Sequence, residues 1–335
     1  MIYQGRDGSQ GTLDGWLIDQ TEAQLANAQE ALRFMLFWHA VEMARRQERP
    51  QVSGKIRPVL RYYGAKWRLA PFIISLFPDH ECYVEPFGGA AGVLLRKQPS
   101  ALEVYNDLDG EVVNFFRVLR ERPADLIWLI ESTPWSREEQ RLSFEPCENS
   151  LERARRLYVR SWQTRGGPRT QRNSGWRYAR RGNGQVPPNV TKLWNQVDHL
   201  WYFVNRLKRV QIDCDDALAV IERFDSPTTL FYLDPPYLPK VRRERWRKHA
   251  YQHEMAEEDH VRLADLLCAL DGMAIISGYP SELYDELYAS WHTETRSSVN
   301  ELSLRTTEQV WISPNAWRAA RQQPLFLLAD TEVTR

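Results

Sequence analysis

Short apolar runs, each closed by a turn or an acid, recur along this chain from about residue 56 onward, and the stretches between them carry apolar positions at helical spacing. Residues 82–87, 102–105, 210–213, 229–233, 273–276 and 309–312 read as strands. Strands alternating with helices predict an α/β domain, a mostly parallel sheet covered on both faces. Ligands of such sheets lie at the carboxyl ends of the strands, near the point where the strand order reverses. Residues 131–206 break the rhythm and read as an insertion into a domain made of residues 56–130 and 207–320, with 321–335 as a tail. Residues 1–55 look separate. There Thr21-Glu22-Ala23-Gln24 fits a capping box, Leu25, Leu32, Met35, Leu36 and Met43 recur at helical spacing, and Arg45-Arg46 suit a last turn. This predicts an accessory packing or dimer helix without chemistry of its own.

Charge changes the picture locally rather than globally. The chain carries 44 basic and 44 acidic residues, yet between Arg153 and Arg209 the basic side chains are opposed by Asp198 alone. Trp162, Trp176, Tyr178 and Trp194 are interleaved with them, and Gly166-Gly167-Pro168, Gly182-Asn183-Gly184 and Pro187-Pro188 break the stretch into loops. Arginine with aromatics on loops is the footprint of a polyanion-binding surface, and Arg165, Arg169, Arg172, Arg177, Arg180 and Arg181 are its candidate contacts. A second basic run at residues 240–248, with Arg243 and Arg245 as candidates, is expected to grip phosphates as a loop that orders on its polyanion. Four scattered cysteines suggest a reducing, cytoplasmic setting, and the histidines make no metal pattern. No apolar run approaches the ~20 residues that span a bilayer, and the first residues lack a signal-peptide pattern.

The chemistry concentrates at strand ends. Asp234-Pro235-Pro236-Tyr237 closes an apolar strand with a carboxylate, a turn stiffened by two prolines, and an aromatic ring. A carboxylate and a fixed carbonyl both accept hydrogen bonds, an exocyclic amine offers two hydrogens, and a ring can stack on a base. Phe87-Gly88-Gly89-Ala90-Ala91-Gly92 follows another strand and is expected to open an apolar helix at Val93-Leu94-Leu95. Asp107 stands at the tip of the next strand, where an acid binds ribose hydroxyls or caps a helix. Upstream, Arg61-Tyr62-Tyr63-Gly64-Ala65-Lys66 combines an aromatic, a small-residue turn and a cation.

Together these motifs resemble the D12 class of Dam-type DNA adenine-N6 methyltransferases, especially those of phages and prophages. Tyr62-Tyr63-Gly64-Ala65-Lys66 stands where that family has an aromatic and Ala-Gly-Gly-Lys. Glu85-Pro86-Phe87-Gly88-Gly89-Ala90-Ala91 stands where it has Glu/Asp-Pro-Phe-x-Gly-x-Gly, with Ala91 replacing the second glycine. Asp234-Pro235-Pro236-Tyr237 is the family's catalytic signature unchanged, and Asp215-Asp216-Ala217 resembles its short acidic segment. The resemblance covers about residues 56 to 315.

It implies a Rossmann-like S-adenosylmethionine-dependent methyltransferase fold with an inserted target-recognition domain. It implies S-adenosylmethionine as methyl donor, adenine N6 of double-stranded DNA as acceptor, and no metal. By family position Tyr62, Lys66, Glu85, Phe87, Gly88, Asp107, Asp216 and Asp234 face the donor; Asp234, Pro235, Pro236 and Tyr237 are catalytic, with Tyr237 as the stacking floor for a flipped adenine. Glu85 could instead orient the glycine turn, and Lys66 could be a solvated surface lysine. An RNA adenine methyltransferase, a cytosine-N4 methyltransferase and a non-catalytic DNA-binding protein on the same scaffold are the rival readings.

Overall fold

The computed structural model describes residues 2–4, 10–12, 56–62, 64–165, 175–178, 190–238, 240, 252–299 and 305–322. The chain divides into two units, Met1–Ser53 and Gly54–Arg335. In the first, Ile2–Gln4 (β1) pairs antiparallel with Gln10–Thr12 (β2). The helix expected after Thr21 lies outside the described residues.

The second unit is built on a seven-stranded sheet of Cys82–Glu85 (β3), Leu102–Asn106 (β4), Val210–Asp213 (β5), Thr229–Leu233 (β6), Met273–Gly278 (β7), His292–Val299 (β8) and Arg305–Ile312 (β9). Their order is β5-β4-β3-β6-β7-β9-β8. The first five run parallel, whereas β9 is antiparallel to both β7 and β8. All six expected strands form. The seventh, β8, went unforeseen because His292-Thr293-Glu294-Thr295-Arg296 has no apolar alternation; it is an edge strand held by its backbone ladder to β9.

Alternation along the strands sorts the core onto two faces. Tyr83, Tyr105, Leu230, Tyr232, Ile275, Val310 and Ile312 point into one apolar layer, and Val84, Val104, Phe231, Leu233, Ile276 and Trp311 into the other. Helices Gly110–Glu121, Ser150–Gln163 and His199–Leu207 cover the first face, and Ala217–Phe224, Glu257–Ala269 and Glu282–Leu287 the second. The architecture is therefore the α/β fold expected, with helices on both sides.

Two local expectations need correcting. After the glycine turn, Val93-Leu94-Leu95 makes successive turns (Leu95 N donates to Ala91 O at 3.0 Å, Lys97 N to Val93 O at 3.0 Å) rather than a regular helix. The basic stretch is also less of a free surface than its composition suggests. Arg153 binds Glu111 at 2.6 Å, Arg155 binds Glu139 and Glu152 at 2.7 Å, Arg156 binds Glu152 at 2.7 Å, and Arg206 is buried against Glu103. Their partners lie outside the stretch or at its border, so a local charge count could not see them. The helix Ser150–Gln163 joins the same core as the sheet, Tyr158 stacking on Phe115 at 6.2 Å between centroids.

Candidate active site

Strand order reverses between β3 and β6, and the two motif-bearing strand ends stand side by side there. A cleft of about 260 Å³ opens over them. Tyr62, Lys66, Glu85, Phe87, Gly88, Asp107, Asp216, Asp234 and Pro236 all line it, so every residue expected to face the donor reaches one cavity.

The turn after β3 is tight for a visible reason. A Cβ on residue 88 would lie 2.2 Å from Tyr105 Cε2 and 2.9 Å from Asn106 O, so only glycine fits. Gly88 N donates to Asn106 O at 2.7 Å, and Tyr105 Oη donates to Gly89 O at 2.8 Å. Ala91 follows at φ 52°, in the left-handed region that a side chain disfavours. Glu85 is buried behind the turn, where its Oε1 accepts from Leu94 N and Tyr83 Oη, each at 2.6 Å. Burial outweighs these donors and raises the Glu85 pKa to about 8. Its contacts are those of a group that orients the turn.

At the end of β4, Asp107 accepts from Gly89 N at 2.7 Å through Oδ2 and from Asp109 N at 2.8 Å through Oδ1. The cap of the following helix is Asp109, which accepts from Glu111 N at 2.9 Å, so Asp107 is released from that task. Burial, only partly offset by the two backbone donors, raises the Asp107 pKa to about 6. Tyr62 extends over Gly89 and donates to Asp109 at 3.4 Å. Asp216 lines the cleft but caps the helix Ala217–Phe224, accepting from Leu218 N and Ala219 N. Phe87 packs partly buried against the apolar layer beside it.

Past β6 the polar groups converge on Asp234. Lys66 Nζ lies 2.9 Å from its carboxylate and 2.8 Å from Gly64 O, with only 5% of the residue exposed. The solvated-lysine alternative therefore fails. Burial works against the ammonium, but Asp234 and Glu308 outweigh it and hold its pKa above the ordinary value. Ser277 Oγ donates to Asp234 at 3.1 Å. Tyr237 differs from the open stacking floor expected of it: the residue is 6% exposed, its ring lies 4.7 Å from that of Tyr279 and 4.9 Å from the Lys66 ammonium, and it does not line the cleft. Its phenol explains the retreat, lying 3.2 Å from Asp234 Oδ1 and 3.0 Å from Glu308 Oε2. Pro235 is buried and Pro236 half-buried at the rim.

Reasoning from sequence missed Glu308 and Ser277. The signal for Glu308 was an acid in step with Val310 and Ile312, whose side chains face the core.

Among the proposed nucleic-acid contacts, Arg165 and Arg177 are described. Arg165 N donates to Gly175 O and Arg177 N to Gln163 O, so the described residues on either side of 166–174 are bonded to each other or to Gln163. Arg165 lies over the exposed ring of Tyr178 at 4.7 Å, which itself stacks with Trp176. Arg169, Arg172, Arg180, Arg181, Arg243 and Arg245 lie outside the described residues, as does Tyr63. Among the described residues no group of acids, histidines and cysteines could hold a metal ion, and no helix is long and apolar enough to cross a membrane.

Comparison with known proteins agrees with this geometry. The family described as D12 class N6 adenine-specific DNA methyltransferase matches residues 62–303. A Type II methyltransferase of Lactococcus lactis subsp. cremoris, M1.LlaDCHI, is 27% identical over 71% of this chain and 86% of its own length. The DNA adenine methylase of Haemophilus influenzae is 26% identical over 70% of this chain and 83% of its own. That of Salmonella typhi is 23% identical over 70% and 84%.

Proposed function

This chain belongs to the D12 class of N6 adenine-specific DNA methyltransferases, and we propose that its cleft takes S-adenosylmethionine as methyl donor while the Asp234 corner holds the adenine amine. Its reaction is methylation of adenine N6 in DNA. The residues suit that donor. Gly88 and Gly89 bring backbone to the cleft wall where a Cβ at 88 could not fit, and Tyr62 supplies an aromatic cover. Each Asp107 oxygen keeps a lone pair after its backbone bond and can accept from a ribose hydroxyl. Bound there, S-adenosylmethionine supplies a methyl group on a sulfonium that needs no further activation.

The chain's own work is positioning. The adenine N6 lone pair is delocalised into the ring and is a poor nucleophile. Acceptors on both N6 hydrogens, the Asp234 carboxylate and the Pro235 carbonyl, favour a more tetrahedral nitrogen. Lys66 and Ser277 fix the carboxylate for this. Holding amine and methyl in line removes most of the remaining barrier. The target base must leave the duplex, at a cost of ~ a few kcal/mol, and Pro236 at the rim is the surface it meets first. Arg165, Arg177 and Tyr178 contact the DNA beside it, and residues 131–206 supply target recognition.

The observation that carries this reading is the pairing of Lys66 with Asp234 at 2.9 Å in the cleft that Asp107 and Gly88 also line. Purified protein should move labelled methyl from S-adenosylmethionine to adenine in unmethylated duplex DNA. Asp234→Ala should lower turnover by about 10³-fold or more while DNA binding persists. Undiminished turnover in that variant would remove Asp234 from its role.

A further inference from the structure

Glu308 lies on β9, beyond the stretch that the family matches, and belongs to none of the motifs. It shares the inward face of its strand with Val310 and Ile312 and is 7% exposed. Its Oε2 is 3.0 Å from the Tyr237 phenol, and the same phenol oxygen is 3.2 Å from Asp234 Oδ1.

A phenol owns one hydrogen. Two ionised carboxylates cannot both be bonded through it, because the second contact would set an oxygen lone pair against an anion. Both contacts become favourable when one of the two acids carries a proton. Asp234 faces the Lys66 ammonium and accepts from Ser277, so its charge is already answered. Among the described residues Glu308 has no comparable contact: the ionisable groups around it are Tyr237, Asp234, Tyr232 and the more distant Lys66, and Arg296, its cross-strand partner on β8, sets its guanidinium over Phe72 at 5.4 Å instead.

We propose that Glu308 carries a proton in the working enzyme and forms the far, donating end of a chain from Glu308 through Tyr237 to Asp234. The chain runs one way. Glu308 donates to the phenol oxygen, the phenol donates to Asp234, and Asp234 remains the one anion that meets the N6 amine. Glu308 is thus a positioning residue: it touches neither substrate nor donor but fixes the ring and hydrogen of Tyr237. Burial, ahead of the opposing pull of Lys66, raises its pKa from the ordinary value, in the direction the hydrogen count requires. Ionising Glu308 would place a second anion across the phenol from Asp234 and reverse the Tyr237 hydrogen, so the chain is lost as pH rises through its folded pKa. The effect on turnover rests on reading Asp234 as the group that holds the amine; the proton assignment does not.

Three variants of the full chain separate the possibilities. Glu308→Gln keeps a donor of the same shape, Glu308→Ala removes it, and Tyr237→Phe keeps the ring without the hydrogen. Single-turnover methyl transfer onto duplex DNA is measured across neutral and alkaline pH. Glu308→Gln should stay within about threefold of wild type and lose the alkaline fall, whereas Glu308→Ala and Tyr237→Phe should each drop about tenfold or more. Glu308→Gln falling as far as Glu308→Ala, or keeping the alkaline fall, would overturn the proposal. Infrared difference spectra between wild type and Glu308→Gln give a readout independent of turnover. A protonated-carboxyl band should be present, and a carboxylate band in its place at neutral pH would overturn the assignment even in an active enzyme. If the band is present but wild type transfers no methyl, the proton assignment stands and the reading of the site falls.

Discussion

Two buried clusters of ionisable groups sit on this sheet, one of two bases around an acid and the other of two acids around a base. Away from the cleft, Lys97 and Arg206 share the fully buried carboxylate of Glu103, with Lys97 at 2.7 Å and Arg206 bonding both oxygens. At the cleft, the carboxyl groups of Asp234 and Glu308 have one cation near them among the described residues, Lys66, which pairs with Asp234 at 2.9 Å. The first cluster closes on itself: Ser100 also donates to Glu103, and Arg206 donates to Leu94 O, tying the helix His199–Leu207 to the glycine turn. Arg206 and Lys97 outweigh burial and hold the Glu103 pKa below its ordinary value. The second cluster carries more acceptor capacity than its one cation uses, and it opens onto a cavity. A buried cluster that answers its own charges is scaffold; one with acceptors in surplus is waiting for a donor, here the two hydrogens of an amine.

The widest separation between the clusters should come from Glu103→Ala. Removing the shared anion strands two buried cations and should cost about 3–5 kcal/mol of stability by urea unfolding, with turnover per folded molecule retained. Asp234→Ala should show the reverse, lost turnover with a much smaller change in unfolding midpoint. A smaller effect sharpens the cleft side. Ionised Asp107 accepts more strongly from a ribose than its protonated form, so KM for the methyl donor should rise as pH falls through about 6, and Asp107→Asn should flatten that dependence. The same raised pKa means that Asp107 favours the folded state most below its unfolded value of 3.8, a contribution lost as pH climbs through about 6. Binding and stability therefore respond to pH with opposite sign, and measuring both separates the two roles. The smallest effect is Ala91→Gly, which relieves a left-handed alanine and should stabilise by about 1 kcal/mol in the same urea assay.

Much of the fold was legible because its strands are buried on both faces and read as apolar runs, as in Thr229-Leu230-Phe231-Tyr232-Leu233. The site was legible where it depends on backbone: Gly88 announced a turn with no room for a Cβ, and Pro235-Pro236 a stiff strand end. What stayed hidden depends on partners distant in the chain. Nothing near Lys66 signals that Asp234 lies 2.9 Å away, and nothing near Arg153 points to Glu111. Tyr237 was expected to stack on a base through its face, but its phenol meets Asp234 after β6 and Glu308 on β9, and the ring is buried. The edge strand β8 carries polar side chains on both sides and so lacked any period to read.

The strand order has a consequence for how the polypeptide is made. β3 is buried along its whole length between β4 and β6, yet β6 is translated only after the entire intervening segment has been synthesised. Until then the nascent chain holds Cys82–Glu85 with one ladder edge bare, an invitation to foreign strands. Synthesis that pauses before residue 229 should therefore be the most aggregation-prone moment in the life of this enzyme, and the cleft takes shape only when that vulnerable edge is sealed.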